Sequence, residues 1–164
     1  MVSGRLVEKH EPRHPGEYFR HVLIVMKTAD SPVPGEGEGN YIVQQRSLKA
    51  RFYPGKWDFT GGGVLAGETP ADAAVREVKE ELHLDIPADR LYLAHEEPVD
   101  WDDGSGLLVS IYACRAEVPA KGFEWNQREV NDVRVFPFHV FRGFIMDHNG
   151  ESFGAALDRI EDMI

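Results

Sequence analysis

The chain has one cysteine, Cys114, so it can form no disulfide within itself and no cysteine-clustered metal centre. Positive charge is also scarce. Across 164 residues, 18 Lys and Arg stand against 28 Asp and Glu, a net charge of −10. An unaided grip on nucleic acid or on an anionic membrane needs clustered basic residues, so neither partner is expected. No apolar run is long enough to span a bilayer. The stretch from Met1 to Tyr18 is polar and lacks the apolar centre of a signal peptide. A soluble, cytoplasmic protein is therefore the expectation. Internal repeats and low-complexity tracts are absent, and composition and length fit one globular domain with a real core.

What the chain does have is acid at helical spacing. In the run Arg76-Glu77-Val78-Lys79-Glu80-Glu81, the glutamates fall at i, i+3 and i+4, which brings three carboxylates to one helix face. Like charges so placed destabilise a helix by roughly 0.2–0.5 kcal/mol per pair. A hard divalent cation turns that repulsion into ligation, so the run is read as a metal site. The bland alternative is a solvated face balanced by Arg76 and Lys79.

In chain order, residues 1–17 mix charge with Pro12, Pro15 and Gly16 and are expected to form an extended arm without chemistry, in which His10 and His14 are solvated. Residues 18–164 are read as a single domain. Strands are predicted over Arg20–Thr28, Asn40–Arg46, Trp57–Thr60, Leu91–Val99, Leu107–Val118 and Asp132–Phe138. The fourth of these dissolves into acidic residues. Ser31–Gly39 is a Pro- and Gly-rich loop, Pro54-Gly55 marks a turn, and Asp100–Gly106 is turn-rich. A helix is announced by Thr69 as N-cap, Pro70 at the first helical position and Asp72 as capping-box acid. Its apolar stripe is Ala71, Ala74, Val75, Val78 and Leu82, with the carboxylates on the remaining arc. Val140–Ile164 is expected to hold one or two helices, the last burying Phe153, Ala156, Leu157 and Ile160.

Counted from Gly62, the chain reads Gly, five residues, Glu68, seven residues, then Arg76-Glu77-Val78-Lys79-Glu80-Glu81-Leu82-His83-Leu84. This resembles the signature of the Nudix hydrolases, G-x5-E-x7-R-E-U-x-E-E-x-G-U with U apolar. Eight of the nine specified positions agree. The departure is His83 where the signature has its last glycine. A left-handed residue is often needed there, and His tolerates it at a cost on the order of 1–2 kcal/mol. The segment QQRSLKARFYPGKWDFTGGG ahead of the signature is similar to that of isopentenyl-diphosphate isomerase-like members.

The resemblance implies an α/β fold, a Nudix-type α/β/α sandwich around a mixed β-sheet, with residues 18–164 as one Nudix domain. It also implies a hydrolase in which water attacks phosphorus in a diphosphate linkage of a nucleoside diphosphate derivative or related nucleotide, with Mg²⁺ or Mn²⁺. On matching positions, Glu77, Glu80 and Glu81 are the metal carboxylates, with Glu81 or Glu77 the principal ligand. Gly61 offers its backbone carbonyl, and Arg76 pins the carboxylates. Glu68 braces the loop or reaches a second metal through water. The general base comes either from Glu77 or Glu80 in the signature or from a later loop, where Glu129 fits best and Glu124 is the alternative. A homodimer is a further possibility that the resemblance raises.

Substrate choice falls to other residues. Arg46, Lys49, Arg51 and Lys56 bracket the turn before the signature and suit a distal phosphate, although an ordinary basic surface has the same composition. Trp57, Tyr53, Trp101 and Trp125 are candidates for stacking on a planar group or for packing. Asp100–Asp103 suits either a cation or a turn, and His21, His83, His95 and His139 show no ligand spacing. Two other functions stay open. Isomerisation of isopentenyl diphosphate uses a cysteine and a glutamate, and no Cys occupies the Trp57–Gly63 segment. A ligand sensor without catalysis is the other.

Overall fold

The computed structural model describes residue 11 and residues 13–164; His10 and the rest of the arm before Glu11, with Pro12, lie outside the described residues. Among the described residues, the chain forms β1 (Tyr18–Thr28), β2 (Asn40–Arg46), β3 (Trp57–Asp58), β4 (Thr60–Gly63), α1 (Pro70–Leu82), β5 (Tyr92–Asp100), β6 (Gly106–Ala116), β7 (Val130–Pro137), α2 (Phe138–His148) and α3 (Glu151–Met163), with one 3₁₀ turn at Ala88–Arg90. The strands make one sheet along the path β3-β2-β1-β6-β5, with β4 also pairing β1 and β7 also pairing β2. Every pair is antiparallel except β1–β6, which run parallel from Tyr18 opposite Gly106 to Thr28 opposite Ala116. The sheet is therefore mixed.

Helices cover both faces, which is why β1 reads as an unbroken apolar run. Alternation along β1 sends Val22, Ile24 and Met26 to one side, where they meet Ala73, Ala74, Val78 and Leu82 of α1. Val25 points to the other, against Phe141 and Ile145 of α2 and Ala156, Leu157 and Ile160 of α3. Full burial of each such large aliphatic or aromatic side chain contributes roughly 1.5–3 kcal/mol. This is the expected α/β/α sandwich. No helix of the described residues is long and apolar enough to cross a membrane.

The expected strands and helices are present, with instructive shifts. The strand read as Trp57–Thr60 breaks at Phe59 into β3 and β4, which pair with different neighbours. β5 does not dissolve at its acids but runs on to Asp100. It is an edge strand, and Glu96 accepts from the Ser110 hydroxyl at 2.8 Å while Glu97 accepts from Ser152 at 2.9 Å. The α1 stripe is also corrected. Ala73 is fully buried and Ala71 only half-buried, and Glu77 and Glu81, expected on the solvent arc, lie inside at 8% and 5% exposure.

A partly buried acid, Glu161, ties α3 to the sheet. Lys27 on β1 is fully buried; its Nζ lies 3.1 Å from the Glu161 carboxylate and donates to the Ile164 carbonyl at 2.7 Å. Glu161 also accepts from the Gly39 N–H at 2.7 Å and from the Tyr41 hydroxyl. Burial first, then that hydrogen bond, pushes the Tyr41 phenol up.

Candidate active site

The helix that carries the acids is fixed at both ends by local chemistry. The Asp72 N–H donates to the Thr69 hydroxyl and the Thr69 N–H to the Asp72 carboxylate, both at 3.1 Å. That closes the capping box and satisfies orphan donors of the first turn. At the other end His83 takes the left-handed conformation, φ 54° and ψ 27°, and its N–H donates to the Lys79 carbonyl. The histidine thus adopts the backbone shape for which the signature has glycine.

Glycine makes room for the carboxylates. A Cβ on Gly62 would come within 2.2 Å of Glu77 Oε1, so only this residue type lets β4 and α1 approach with a glutamate between them. Gly61, opposite Leu23 in the ladder, is equally confined, since a Cβ there would meet the Val22 carbonyl at 2.1 Å.

Arg76 distributes its five donors around this junction. Nε reaches Glu68 Oε2 at 3.1 Å and Nη2 reaches Glu68 Oε1 at 2.7 Å and the Gly63 carbonyl at 2.9 Å. Nη1 reaches Glu77 Oε1 at 2.8 Å and Glu80 Oε2 at 3.2 Å. These contacts raise the guanidinium's pKa, Glu68 most of all, and hold the Glu68 carboxyl below its ordinary range. Glu68 also accepts from the Leu65 N–H at 2.7 Å, so it braces the loop before α1.

Glu81 sits deeper and has no such cation. Burial pushes its carboxyl up to about 9, against the pull of a hydrogen bond from Gln44, and the charges of Glu77 and Glu129 push the same way. Glu77, hydrogen-bonded to Glu81, is raised as well, again by burial, despite Arg76. Gln44, almost fully buried on β2, also accepts from the Thr60 hydroxyl at 3.3 Å. Neither Gln44 nor Thr60 was singled out by the motif; the signal for Gln44 was a polar residue at the end of the apolar run Tyr41-Ile42-Val43.

Of the two later-loop acids, Glu129 is the one whose charge reaches Glu81. Its loop is tied to the site at both ends. The Asn126 N–H donates to the Glu81 carbonyl at 2.9 Å, and the Ser47 N–H donates to the Glu129 carbonyl at 3.1 Å. Glu124 turns instead toward His83, 3.9 Å away at the helix exit.

The substrate candidates divide. Arg46 donates from Nε to the Phe52 carbonyl at 2.8 Å, and Lys49 and Arg51 are exposed on the same loop. That loop is anchored to the end of α2 by the Tyr53 ring, 4.9 Å from the His148 ring, and by Lys56 with Asp147 at 2.5 Å. Trp57 is not brought to the carboxylates. Its indole packs against Phe136 and Phe144, at 4.9 and 6.0 Å between centroids, in the core on the α2 side. Trp125 likewise packs on the α1 core. A cavity of about 790 Å³ opens beside His83, Arg90, Arg115 and Met163, and none of the four site glutamates lines it.

Among the described residues, no three Asp, Glu, His or Cys side chains close into a ready-made metal cage. Arg76 engages Glu68 and Glu80, while Glu81 hydrogen-bonds Gln44 and Glu77. In kind, the donors fit a hard divalent ion. They are carboxylate oxygens, with two carboxyls forced above their ordinary pKa by burial in each other's company.

Comparison with known proteins bears on this geometry. A family model described as NUDIX domain matches residues 19–155. Nudix hydrolase 3 of Arabidopsis thaliana is 28% identical over 154 residues, covering 87% of this chain and 19% of that protein. The nucleoside triphosphatase NudI of Escherichia fergusonii is 34% identical over 78 residues, 48% of this chain and 50% of that protein. The chain thus spans half or less of the length of these curated relatives. In structure, the MutT protein of Methanosarcina mazei Go1 superposes with a TM-score of 0.66 at 18% identity, covering 92% of this chain and 96% of that one.

Proposed function

The chain belongs to the NUDIX domain family, and on that premise we propose that it is a divalent-cation-dependent hydrolase cleaving a phosphoric anhydride in a nucleotide or nucleoside diphosphate derivative. The observation that carries this reading is the buried Glu77–Glu81 pair, which shares a hydrogen bond and leaves Glu81 without a side-chain cation. Glu77, Glu80 and Glu81 would hold Mg²⁺ or Mn²⁺, joined by the Gly61 carbonyl. When bound, the ion offsets the substrate's charge, polarises the phosphoryl oxygens and lowers the pKa of the attacking water.

The chain's own residues do the rest. Arg76 fixes the orientation of Glu77 and Glu80 through charge-assisted hydrogen bonds. Glu129 takes the proton from water. It lies at the rim, exposed, with its backbone held between Ser47 and Asn126. Arg46, Lys49 and Arg51 receive a phosphate distal to the scissile bond.

Incubation with Mg²⁺ or Mn²⁺ and a panel of nucleoside triphosphates and nucleoside diphosphate derivatives, with detection of released phosphate, pyrophosphate or monophosphate, tests the reading. Glu129→Gln is expected to lower turnover by about 10²-fold or more, and a near-wild-type rate would return the base to α1. Cys114 argues against the isomerase. It is fully buried in the core on β6, and burial pushes its thiol up to about 12, so it offers no reactive thiolate. Silence on every substrate, with divalent ion and nucleotide still bound, would identify a sensor instead.

A further inference from the structure

The segment leading into β1 holds an arginine in a setting that lacks its counter-charge. The Arg13 guanidinium lies between two aromatic rings, 4.6 Å from the Phe19 centroid and 3.8 Å from that of Trp101. The backbone on either side of this clamp is secured. Gly16 N–H donates to the Gly104 carbonyl at 2.8 Å, and Gly106 N–H donates to the Glu17 carbonyl at 3.0 Å. Despite this, Arg13 Nη1 is buried with no hydrogen-bond partner. Asp103, the acid whose charge acts on Arg13, is turned to Ser105 and accepts from its N–H at 2.9 Å and its hydroxyl at 2.5 Å.

Besides Asp103, positive charge also acts on Arg13 from the neighbouring elements. Arg51, exposed on the loop between β2 and β3, is close enough to repel it. Arg46 at the end of β2 and Arg13 both bear on His21 of β1. Burial lowers that imidazole to about 4 with the help of both arginines and against the pull of Asp58. In a chain of net charge −10, the charges of Arg51 and Arg46 thus reach this corner of the fold while Arg13 Nη1 goes unmet. A guanidinium stacked on rings keeps its donor edge free and pre-organised, and that edge matches a phosphate in two-pronged geometry.

We propose that Arg13, clamped between Phe19 and Trp101, and Arg51 across from it form an anion subsite for a substrate phosphate other than the one attacked, selecting nucleotides with a distal anionic group. Its role in turnover rests on the hydrolase reading, whereas its capacity to bind phosphate does not. The subsite lies on the arm and the β2–β3 loop, so it requires no divalent ion.

Calorimetric titration of the whole chain with inorganic tripolyphosphate in EDTA, at low ionic strength, isolates this subsite from the carboxylates. Binding is expected, weakened tenfold or more by Arg13→Gln and by Arg51→Gln and left intact or tightened by Glu81→Gln. No binding by the wild-type chain, or equal binding by both arginine variants, overturns the proposal. Arg13→Lys keeps the charge without the planar stack and is expected to lose about threefold or more. With Arg51→Gln it decides the matter if Arg13→Gln does not fold. In the presence of Mg²⁺, Arg51→Gln is expected to raise KM for a nucleoside triphosphate tenfold more than KM for a nucleoside diphosphate sugar. An equal rise on both removes the selectivity. Should neither substrate be hydrolysed, the cation-free titration still stands or falls by itself.

Discussion

Two glutamates, Glu81 buried on α1 and Glu161 partly buried on α3, have opposite surroundings. Glu161 is met by Lys27, a phenol and a backbone N–H, all supplied by the fold. Glu81 is met by the amide of Gln44, and the charged groups that act on it, Glu77 and Glu129, share its sign. A buried carboxylate whose cation is built in is structural, because removing either partner strands the other. One left among like charges has no cation supplied by the fold, which is the ground for the proposed metal role. Arg76 marks the boundary between the two designs, since it satisfies Glu77 and Glu80 on the surface side without reaching Glu81.

The contrast can be broken most forcefully at Lys27. Lys27→Met is expected to destabilise the fold by about 3–5 kcal/mol, read in urea unfolding, while the double variant with Glu161→Leu recovers most of that loss. Turnover per folded molecule should not change. At the other site the pattern inverts: Glu81→Gln is expected to cost turnover about 100-fold or more with no loss of melting temperature, since a neutral amide replaces a carboxyl that burial already holds protonated below about pH 9. A destabilised Glu81→Gln protein would mean that both glutamates are structural.

Metal and pH sharpen the distinction further. Because the fold raises Glu81's pKa above its ordinary 4.5, its contribution to stability is complete below about pH 4.5 and is lost as pH rises toward 9. His21, lowered to about 4, contributes above its ordinary 6.5 and loses that contribution as pH falls toward 4. In EDTA, the alkaline loss should be visible in thermal melts and absent from Glu81→Gln. Mg²⁺ at roughly thirtyfold its Kd should restore about 2 kcal/mol; no effect of Mg²⁺ on the alkaline limb would sink the metal site. The smallest expected change is at the helix exit. His83→Gly relieves a left-handed side chain and should stabilise by about 1 kcal/mol, a rise of a few degrees in Tm with turnover unaltered.

Local chemistry made much of this legible in advance. Thr69, Pro70 and Asp72 determine where α1 starts through contacts within four residues, and Glu68, Glu77 and Glu80, picked out by the signature spacing, do meet at Arg76. Burial was another matter. Glu77 and Glu81 fell on the arc away from the apolar stripe because helical periodicity ranks residues by polarity, whereas the space Glu77 occupies is opened by Gly62 on a different element. Gln44 and Thr60 were invisible for the same reason, as their value depends on which strand lies beneath α1. Arg13 was assigned to a solvated arm, since nothing near it in sequence announces Trp101, 88 positions later. Trp57, open to stacking or packing in the sequence, packs on the α2 side, since strand alternation does not say which face of the sheet α1 will cover.

The parallel register between β1 and β6 has a consequence for assembly. Tyr18 pairs with Gly106 and Thr28 with Ala116, so the longest ladder among the described residues cannot start before positions 88 apart in sequence are brought together. Its partner on the other side, β4, is reached far sooner along the chain, and the acid-bearing helix follows directly. Closure of long loops is the slow step in such topologies. A chain emerging from its N-terminus would therefore carry the β1–β4–α1 unit with one edge of β1 open until β6 arrives. During that interval β1, apolar on both faces, is the segment most in need of a chaperone.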